Sequence, residues 1–488
     1  MSTHLNGSSV NQNNGKKSVN ESVKECNPFV HRLQLTKAQK CQIFFMTFTI
    51  FPVRLVLGLS VFFFSWFLAL LFTVGTSPNT SSPAGPVRRA LYQFLQYCGK
   101  LIIFLIGFSF TVKGKRASVE EAPVLIATPH SSLWDILVLF ATSPFPSALS
   151  KYENFKIPIF RTLLRAIQPV LVHRNEAMST QQTVDIILKR AKEGKKWPQL
   201  TVFPEGTCSN KKHMIRFKLG AFLAGTPVQP MIIRYKSSLD SFTWTECGPT
   251  AFYLIWLTLC QFQSHMEVEY LPVYKPTAEE MKDPKLYANN VRDQLAKKLR
   301  VPCSDHTYED RLLMRKAKKL HFPMEAAIVQ FHYVKTKYKL NLDEAMKRLE
   351  EFSQISLPRQ DGLADADDFN KYFSCNEQIV NALFSELDVY QKGILSFREF
   401  VIGNASIREK LASNQNLESC HTLLNKLLAT STDHGGDKHD FGKELLILSQ
   451  KVCPQLNVDD VAVAKETFFQ FLQENPMYLF LFVFYQGK

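Results

Sequence analysis

The sequence predicts an α/β domain on a mixed sheet, preceded by a membrane anchor and followed by an all-α domain. Three patterns carry this. Short apolar runs at residues 124–127, 170–172, 200–203 and 228–234 alternate with helical patterns, notably over residues 180–195; strands alternating with helices build layered α/β sheets. Residues 55–75 contain no charged side chain, and about 20 apolar residues suffice for a helix to cross a bilayer. Past residue 310, apolar and charged residues interleave at helical spacing, most clearly over residues 324–352.

The 488 residues leave room for roughly two to three units with a sizeable core. A formal charge of +14 and an isoelectric point near 9.2 point to an anionic partner: nucleic acid, phospholipid headgroups or a polyphosphate cofactor. The long apolar run favours lipid and argues against nucleic acid. Ten cysteines are scattered without paired spacing, which fits neither a zinc site nor a secreted disulfide framework, so a reducing cytosolic face is expected.

In chain order, residues 1–40 form a polar tail rich in Ser, Asn and Lys, with no aromatic side chain before Phe29. Too little apolar surface is available to order it, and disorder is expected to about residue 26. No cleavable signal is visible, since the apolar run begins only at Ile43. Residues 41–112 are expected to form a membrane hairpin or anchor. Its first arm, residues 43–75, is broken only by Arg54; the second, residues 91–112, carries Gln93, Gln96 and Lys100 and is a poorer span. That arm returns through the membrane, lies in the interface or packs on the protein. Arg32, Lys37 and Lys40 precede the first arm and Lys113, Lys115 and Arg116 follow the second, while the link between them holds only Arg88 and Arg89. Cytoplasmic loops are the Lys/Arg-rich ones, so a hairpin with both ends in the cytosol fits better than a single span. The link also carries the glycosylation sequon Asn79-Thr80-Ser81.

Residues 113–310 hold the candidate chemistry. The run Val124-Leu125-Ile126 feeds the turn Ala127-Thr128-Pro129-His130-Ser131-Ser132-Leu133-Trp134-Asp135. A neutral imidazole is well suited to take a proton near neutral pH, and a carboxylate on its other nitrogen fixes its tautomer and steadies the imidazolium. With His130 at a helix start, Asp135 lies about one turn on and reaches back to it. The bland alternative is a surface histidine that happens to precede an aspartate. A second run, Leu200-Thr201-Val202, feeds Phe203-Pro204-Glu205-Gly206-Thr207-Cys208-Ser209-Asn210. The two strand ends can share one cleft of the kind in which α/β sheets collect ligand groups.

His130 with Asp135, Val170-Leu171-Val172-His173-Arg174, Phe203-Pro204-Glu205-Gly206-Thr207 and Val228-Gln229-Pro230-Met231-Ile232-Ile233 resemble, in that order, the four signature blocks of the glycerolipid acyltransferases. The stretch from Glu205 to Asn210, then Phe217-Lys218, Gly220-Ala221-Phe222, Pro227, Arg234-Tyr235 and Thr243-Trp244 before Gly248-Pro249, resembles the lysophosphatidylcholine acyltransferase branch. One position departs from it: Leu219 stands where that branch usually has proline. The resemblance covers roughly residues 44–310 and continues more weakly beyond.

This resemblance implies that His130 accepts the proton of a lysophospholipid hydroxyl, whose oxygen attacks the thioester of acyl-CoA, while Asp135 orients His130. Lysophosphatidylcholine would become phosphatidylcholine, with acyl-CoA a co-substrate and no cofactor bound. Transfer is direct, so Cys208 is no thioester carrier and reads as a small packing residue. The implied location is the endoplasmic reticulum membrane, with this domain facing the cytosol. The alternatives are a lysophosphatidate acyltransferase and a catalytically silent membrane adaptor.

Further residues take expected roles within that frame. Arg174 ends a strand in the block resembling the acceptor-binding motif, and its fork suits phosphate. Glu205 should repel a phosphate unless it organises a neighbour, so a binding and positioning role is expected, with Gly206 admitting close backbone approach and Thr207 beside it. Lys218 closes the basic run Lys211, Lys212, Arg216, Lys218, which either meets CoA or headgroup phosphates or is a solvated face. Residues 251–262 are too short to span and are expected to be buried, the other reading being an interfacial helix.

Residues 311–475 are expected to form a helical domain. Within it, Asp388 to Glu399, with Gly393 at the sharp turn, resembles an EF-hand calcium loop, but Tyr390 and Lys392 stand where oxygen donors belong. The partner loop at residues 357–368 keeps Gly362 and Asp368 but begins with leucine, and residues 430–441 match less well. All three read as structural remnants with calcium binding not expected. The aromatic run at residues 478–485, within a C-terminal tail at residues 476–488, packs on the core or anchors in a leaflet. No protein partner can be named from the sequence.

Overall fold

A computed structural model describes residues 27–73, 85–141, 147–152, 156–172, 177–373, 377–430 and 465–486. The expected tail to residue 26, the sequon, Arg174 and most of residues 430–441 lie outside the described residues. The chain divides into two compact units, Met1–Ser304 and Asp305–Lys488.

The first unit is built on strands β1 (Phe108–Lys113), β2 (Val124–Thr128), β3 (Ser147–Lys151), β4 (Val170–Val172), β5 (Leu200–Val202), β6 (Val228–Lys236) and β7 (Ser264–Tyr270). They form one seven-stranded sheet in the order β1-β7-β6-β2-β5-β3-β4. From β6 through β2, β5 and β3 to β4 all neighbours are parallel; β7 runs antiparallel to β6, and β1 parallel to β7. The sheet is therefore mixed, as expected, and β2 sits at its centre with all five residues buried. Alternation along β2 sends Leu125 and Ala127 into one core with Trp134 and Val138, and Val124 and Ile126 into another with Tyr287 and Val291. A strand covered on both faces reads as a continuous apolar run.

The helices of this unit are α1 (Lys37–Phe48), α2 (Ile50–Thr73), α3 (Pro86–Leu105), α4 (Asp135–Ala141), α5 (Pro158–Ile167), α6 (Ala177–Glu193), α7 (Ala251–Leu259), α8 (Ala278–Lys282) and α9 (Pro284–Leu299). Thr36 and Gln39 close a capping box that starts α1. Among the described residues, Ile50–Leu71 of α2 is the one stretch long and apolar enough to cross a membrane, with mean hydropathy 2.1. Its single charge, Arg54, donates to the carbonyls of Leu259, Gln261 and Phe262 beyond α7. A guanidinium suits such a helix C-terminus, whose carbonyls lack intrahelical donors.

The second apolar stretch, residues 91–112, is divided between a helix and a strand. α3 ends at Leu105, Gly107 turns the chain at φ +85, and β1 joins the sheet from Phe108. Any larger residue at 107 would drive a Cβ into the Arg54 guanidinium. α3 buries Leu91, Leu95, Cys98 and Ile103 while Tyr97, Leu101 and Phe104 stay exposed. α7 is divided in the same way: Leu254, Leu257 and Leu259 are buried, but Phe252 is 87% exposed, so burial describes only one of its faces.

The second unit carries α10 (Tyr308–Lys319), α11 (Phe331–Tyr338), α12 (Leu342–Ile355), α13 (Ala366–Phe373), α14 (Glu377–Leu387), α15 (Phe397–Leu411), α16 (Asn414–Thr430), α17 (Lys465–Glu474) and α18 (Pro476–Gln486). The loops α12–α13 and α14–α15 are joined by a small antiparallel pair, β8 (Leu363–Ala364) with β9 (Leu395–Ser396). Gly362 and Gly393 turn these loops at φ +78 and +68. Asp388 Oδ2 accepts from Gly393 N at 2.6 Å, and Lys392 Nζ lies 2.6 Å from Glu399 Oε1. The C-terminal run packs inside this unit, with Tyr478, Leu479, Leu481 and Phe482 of α18 buried in its core.

Candidate active site

β2, β5 and β6 are parallel neighbours, so their carboxyl ends open on one edge of the sheet. His130 follows β2, Glu205 follows β5, and Tyr235 lies near the end of β6. His130 precedes a helix without belonging to it, and Asp135 opens α4. The reach expected within a helical turn is made instead by a tight loop that the aspartate itself ties. Asp135 Oδ2 lies 2.7 Å from His130 Nδ1 and accepts from the backbone N–H groups of Ser131 and Ser132 at 2.9 and 3.0 Å. Its other oxygen accepts from the Tyr235 hydroxyl at 2.6 Å.

Those donors give the carboxylate an acceptor role throughout. The proton between Asp135 and His130 is therefore assigned to Nδ1, which leaves the Nε2 lone pair as the basic site of the ring. The His130 side chain is 26% exposed while that of Asp135 is 1% exposed, so solvent reaches the imidazole and not the carboxylate. The Phe203 ring lies 4.4 Å from the imidazole, and Cys208 Sγ lies 3.7 Å from Nε2 and 3.8 Å from Nδ1. Burial pulls the imidazole pKa down, but the Cys208 sulfur and then Asp135 push it up further, leaving His130 well above its ordinary value. Burial likewise raises the Tyr235 hydroxyl, and Asp135 beside it adds to the rise, so Tyr235 is a neutral donor.

Glu205 is turned inward. Its Oε1 accepts from Thr128 Oγ1 at 2.6 Å and from His130 N at 2.9 Å, and its Oε2 from Ser209 Oγ at 3.1 Å. Burial pushes its carboxyl pKa up against these donors. The side chain ties the loop after β5 to the turn after β2; this is the positioning half of the expected role, with the carboxylate itself 1% exposed. Gly206 adopts φ +67, a conformation that favours glycine, and a Cβ there would lie 3.0 Å from Lys218 Cε. Gly206 and Lys218 are thus brought together, with Lys218 exposed and Thr207 buried. Within the basic run, Lys211 pairs with Asp240 at 2.9 Å and Arg216 donates to Asn289 at 2.9 Å. β4 ends at Val172 on the same edge of the sheet, and Arg174 follows it outside the described residues.

Sequence reasoning assigned no role to Thr128, Ser209 or Tyr235. Tyr235 had a usable signal, because a polar residue ending a buried strand beside β2 is placed at the cleft by strand order alone.

The family model described as Acyltransferase matches residues 109–234. Human lysophosphatidylcholine acyltransferase 2 is 36% identical over 469 residues, covering 94% of this chain and 85% of that protein. The zebrafish (Danio rerio) protein of the same name is 40% identical over 380 residues, covering 77% of this chain and 72% of that one. Mouse lysophosphatidylcholine acyltransferase 1 is 38% identical over 381 residues, covering 77% and 71%. Similarity of this extent, continuous from the anchor through the sheet and into the helical unit, makes this chain a member of the lysophosphatidylcholine acyltransferase family.

Proposed function

We propose that this protein transfers an acyl group from acyl-CoA to the free hydroxyl of a lysophospholipid, with lysophosphatidylcholine the acceptor and phosphatidylcholine the product. The observation that supports the reading is the pair His130–Asp135, with Nδ1 2.7 Å from the carboxylate and the imidazole 26% exposed where Asp135 is 1% exposed. Nε2 takes the hydroxyl proton as the oxygen attacks the thioester carbonyl. The resulting imidazolium is steadied by Asp135 and returns its proton to the departing CoA sulfur. The acceptor oxygen forms the new ester as the C–S bond breaks, so no enzyme-bound acyl group is required. Tyr235 and the Ser131 and Ser132 amides hold Asp135 in place for both proton transfers.

Arg174 and Lys218 are assigned to phosphate on the acceptor or the donor, and Gly206 with Thr207 shape the backbone against it. The membrane is the proposed seat. α1 exposes Phe44, Phe45 and Phe48, and Phe252 and Phe262 are exposed in and after α7, a run of aromatic surface beside the α2 span that suits an acyl-chain environment. The endoplasmic reticulum, with the first unit's active site on the cytosolic side, is the compartment this reading expects.

The test is transfer of a labelled acyl group from acyl-CoA to a panel of lysophospholipids, using membranes that carry the parent chain or His130→Ala. Activity should fall by at least about 100-fold in the variant, with lysophosphatidylcholine preferred by the parent. Preference for lysophosphatidate would reassign the acceptor, and a parent inert on every acceptor would defeat the enzymatic reading.

A further inference from the structure

Upstream of α1, residues 27–31 form a strap across the loops that build the site. Asn210 holds it from one side: its backbone N–H donates to Pro28 O at 2.8 Å, and its side-chain amide donates to Asn27 O at 2.9 Å and Val30 O at 3.0 Å. Cys247 holds it from the other, with Cys247 N donating to Phe29 O and His31 N to Cys247 O, both at 3.0 Å. The His31 ring reaches Asp240 O at 3.1 Å. Phe29 is fully buried and Asn27 is 4% exposed, so the strap is part of the domain's interior.

Asn210 ends the loop that carries Glu205, Gly206 and Cys208. Ser209, its neighbour, donates its N–H to His130 O at 2.8 Å and its hydroxyl to Glu205 at 3.1 Å. The loop is therefore clamped between the His130 turn on one side and the strap on the other. A strand-end loop with a left-handed glycine has little regular structure to hold it. Three hydrogen bonds donated by one asparagine to carbonyls of the strap supply a fixed reference.

We infer that the strap is a positioning element of the active site: Asn210, gripping residues 27–30, sets the loop that aligns His130. Residues on the amino side of the apolar helix α2 are then required for catalysis, although the residues matched as Acyltransferase begin only at 109. A displacement of about 1 Å at a reacting group can cost about 100-fold in rate, so a slackened loop should act on turnover before it acts on folding. The inference rests on the acyl-transfer reading above.

The experiment compares four chains in membranes: the parent, one starting at residue 27, one starting at residue 32, and full-length Asn210→Ala. Turnover, KM for acyl-CoA, the pH profile and the thermal midpoint are measured for each. The chain from residue 27 should match the parent within about twofold. The chain from residue 32 and Asn210→Ala should lose roughly 10- to 100-fold in kcat. Their KM for acyl-CoA should stay nearly unchanged, and the acid limb of the profile should move to lower pH as Cys208 is carried off the His130 ring. Loss that tracks only the folded fraction, with kcat per folded molecule and the pH limb unmoved, overturns the inference, as does activity within twofold of the parent in Asn210→Ala. Should the chain from residue 32 fail to fold, Asn210→Ala alone decides. A parent without activity on any acceptor defeats the reaction assignment instead, so the two failures are distinct.

Discussion

The proposed reaction asks His130 to be basic and to be unprotonated, and its surroundings favour the first. Cys208 and Asp135 hold its pKa well above the ordinary value of 6.5. The protonated ring cannot accept the acceptor's proton, so activity is lost as pH falls through the His130 pKa and is gained above it. The acid limb of kcat/KM should accordingly lie above about pH 6.5. Cys208→Ala removes the sulfur lying 3.7 Å from Nε2, and the limb should move to lower pH. A pH–rate series on the two proteins checks this, and an unmoved limb would deny Cys208 any influence on the base. The His130–Asp135 pairing and the turn at Gly206 were legible in the sequence because each belongs to a short local pattern: a histidine with a carboxylate five residues on, or a glycine in the loop that leaves a strand. The Glu205 tie was not legible. It links Thr128 and His130, 77 and 75 residues upstream, to the loop that holds Ser209, and no spacing encodes contacts so far apart in the chain.

At the scale of the element, the strands that sequence reasoning found, β2, β4, β5 and β6, each carry a short, largely apolar run, and those it missed, β1, β3 and β7, mix polar with apolar residues. β7 alternates polar with apolar residues and reads as surface, yet Glu267 on it is 5% exposed because three cations converge there: Lys113, Arg234 and Lys236 at 2.8, 3.0 and 2.7 Å. β1 was hidden inside an apolar stretch that looked membrane-bound. The cluster pulls the Glu267 carboxyl down to about 2, chiefly through hydrogen bonds from Lys113 and Lys236. A depressed carboxylate contributes stability that is present above its unfolded value, near 4.5, and is lost as pH falls toward 2. Glu267→Gln should lower stability at pH 7 by about 1 to 2 kcal/mol, a linkage value reduced because the lysines are half in solvent. The deficit should shrink when thermal midpoints of variant and parent are compared at progressively lower pH. In the second unit, the Lys392 ammonium pairs with Glu399 at 2.6 Å.

For the whole molecule, order of elements and class of fold were readable, while the path of the anchor was not. Apolar length measures only the capacity to cross a bilayer; whether a stretch does so depends on what its two ends hold on to. Here the strap answers. Residues 27–31 on the near side of α1 and α2 touch Asn210 and Cys247 on the far side of α3, with hydrogen bonds near 3 Å. A hydrocarbon layer about 30 Å thick cannot lie between them. Between residues 36 and 108 the crossings must therefore sum to an even number, zero included, and α2 is either matched by a return or dips and withdraws. In variants that keep only Cys26 or only the exposed Cys303, membrane-impermeant thiol reagents applied to sealed vesicles should label both from the same side; labelling from opposite sides would break the parity. The strap and the His130 turn therefore stand on one side of any bilayer that α2 enters, so whatever meets one meets the other from the same compartment.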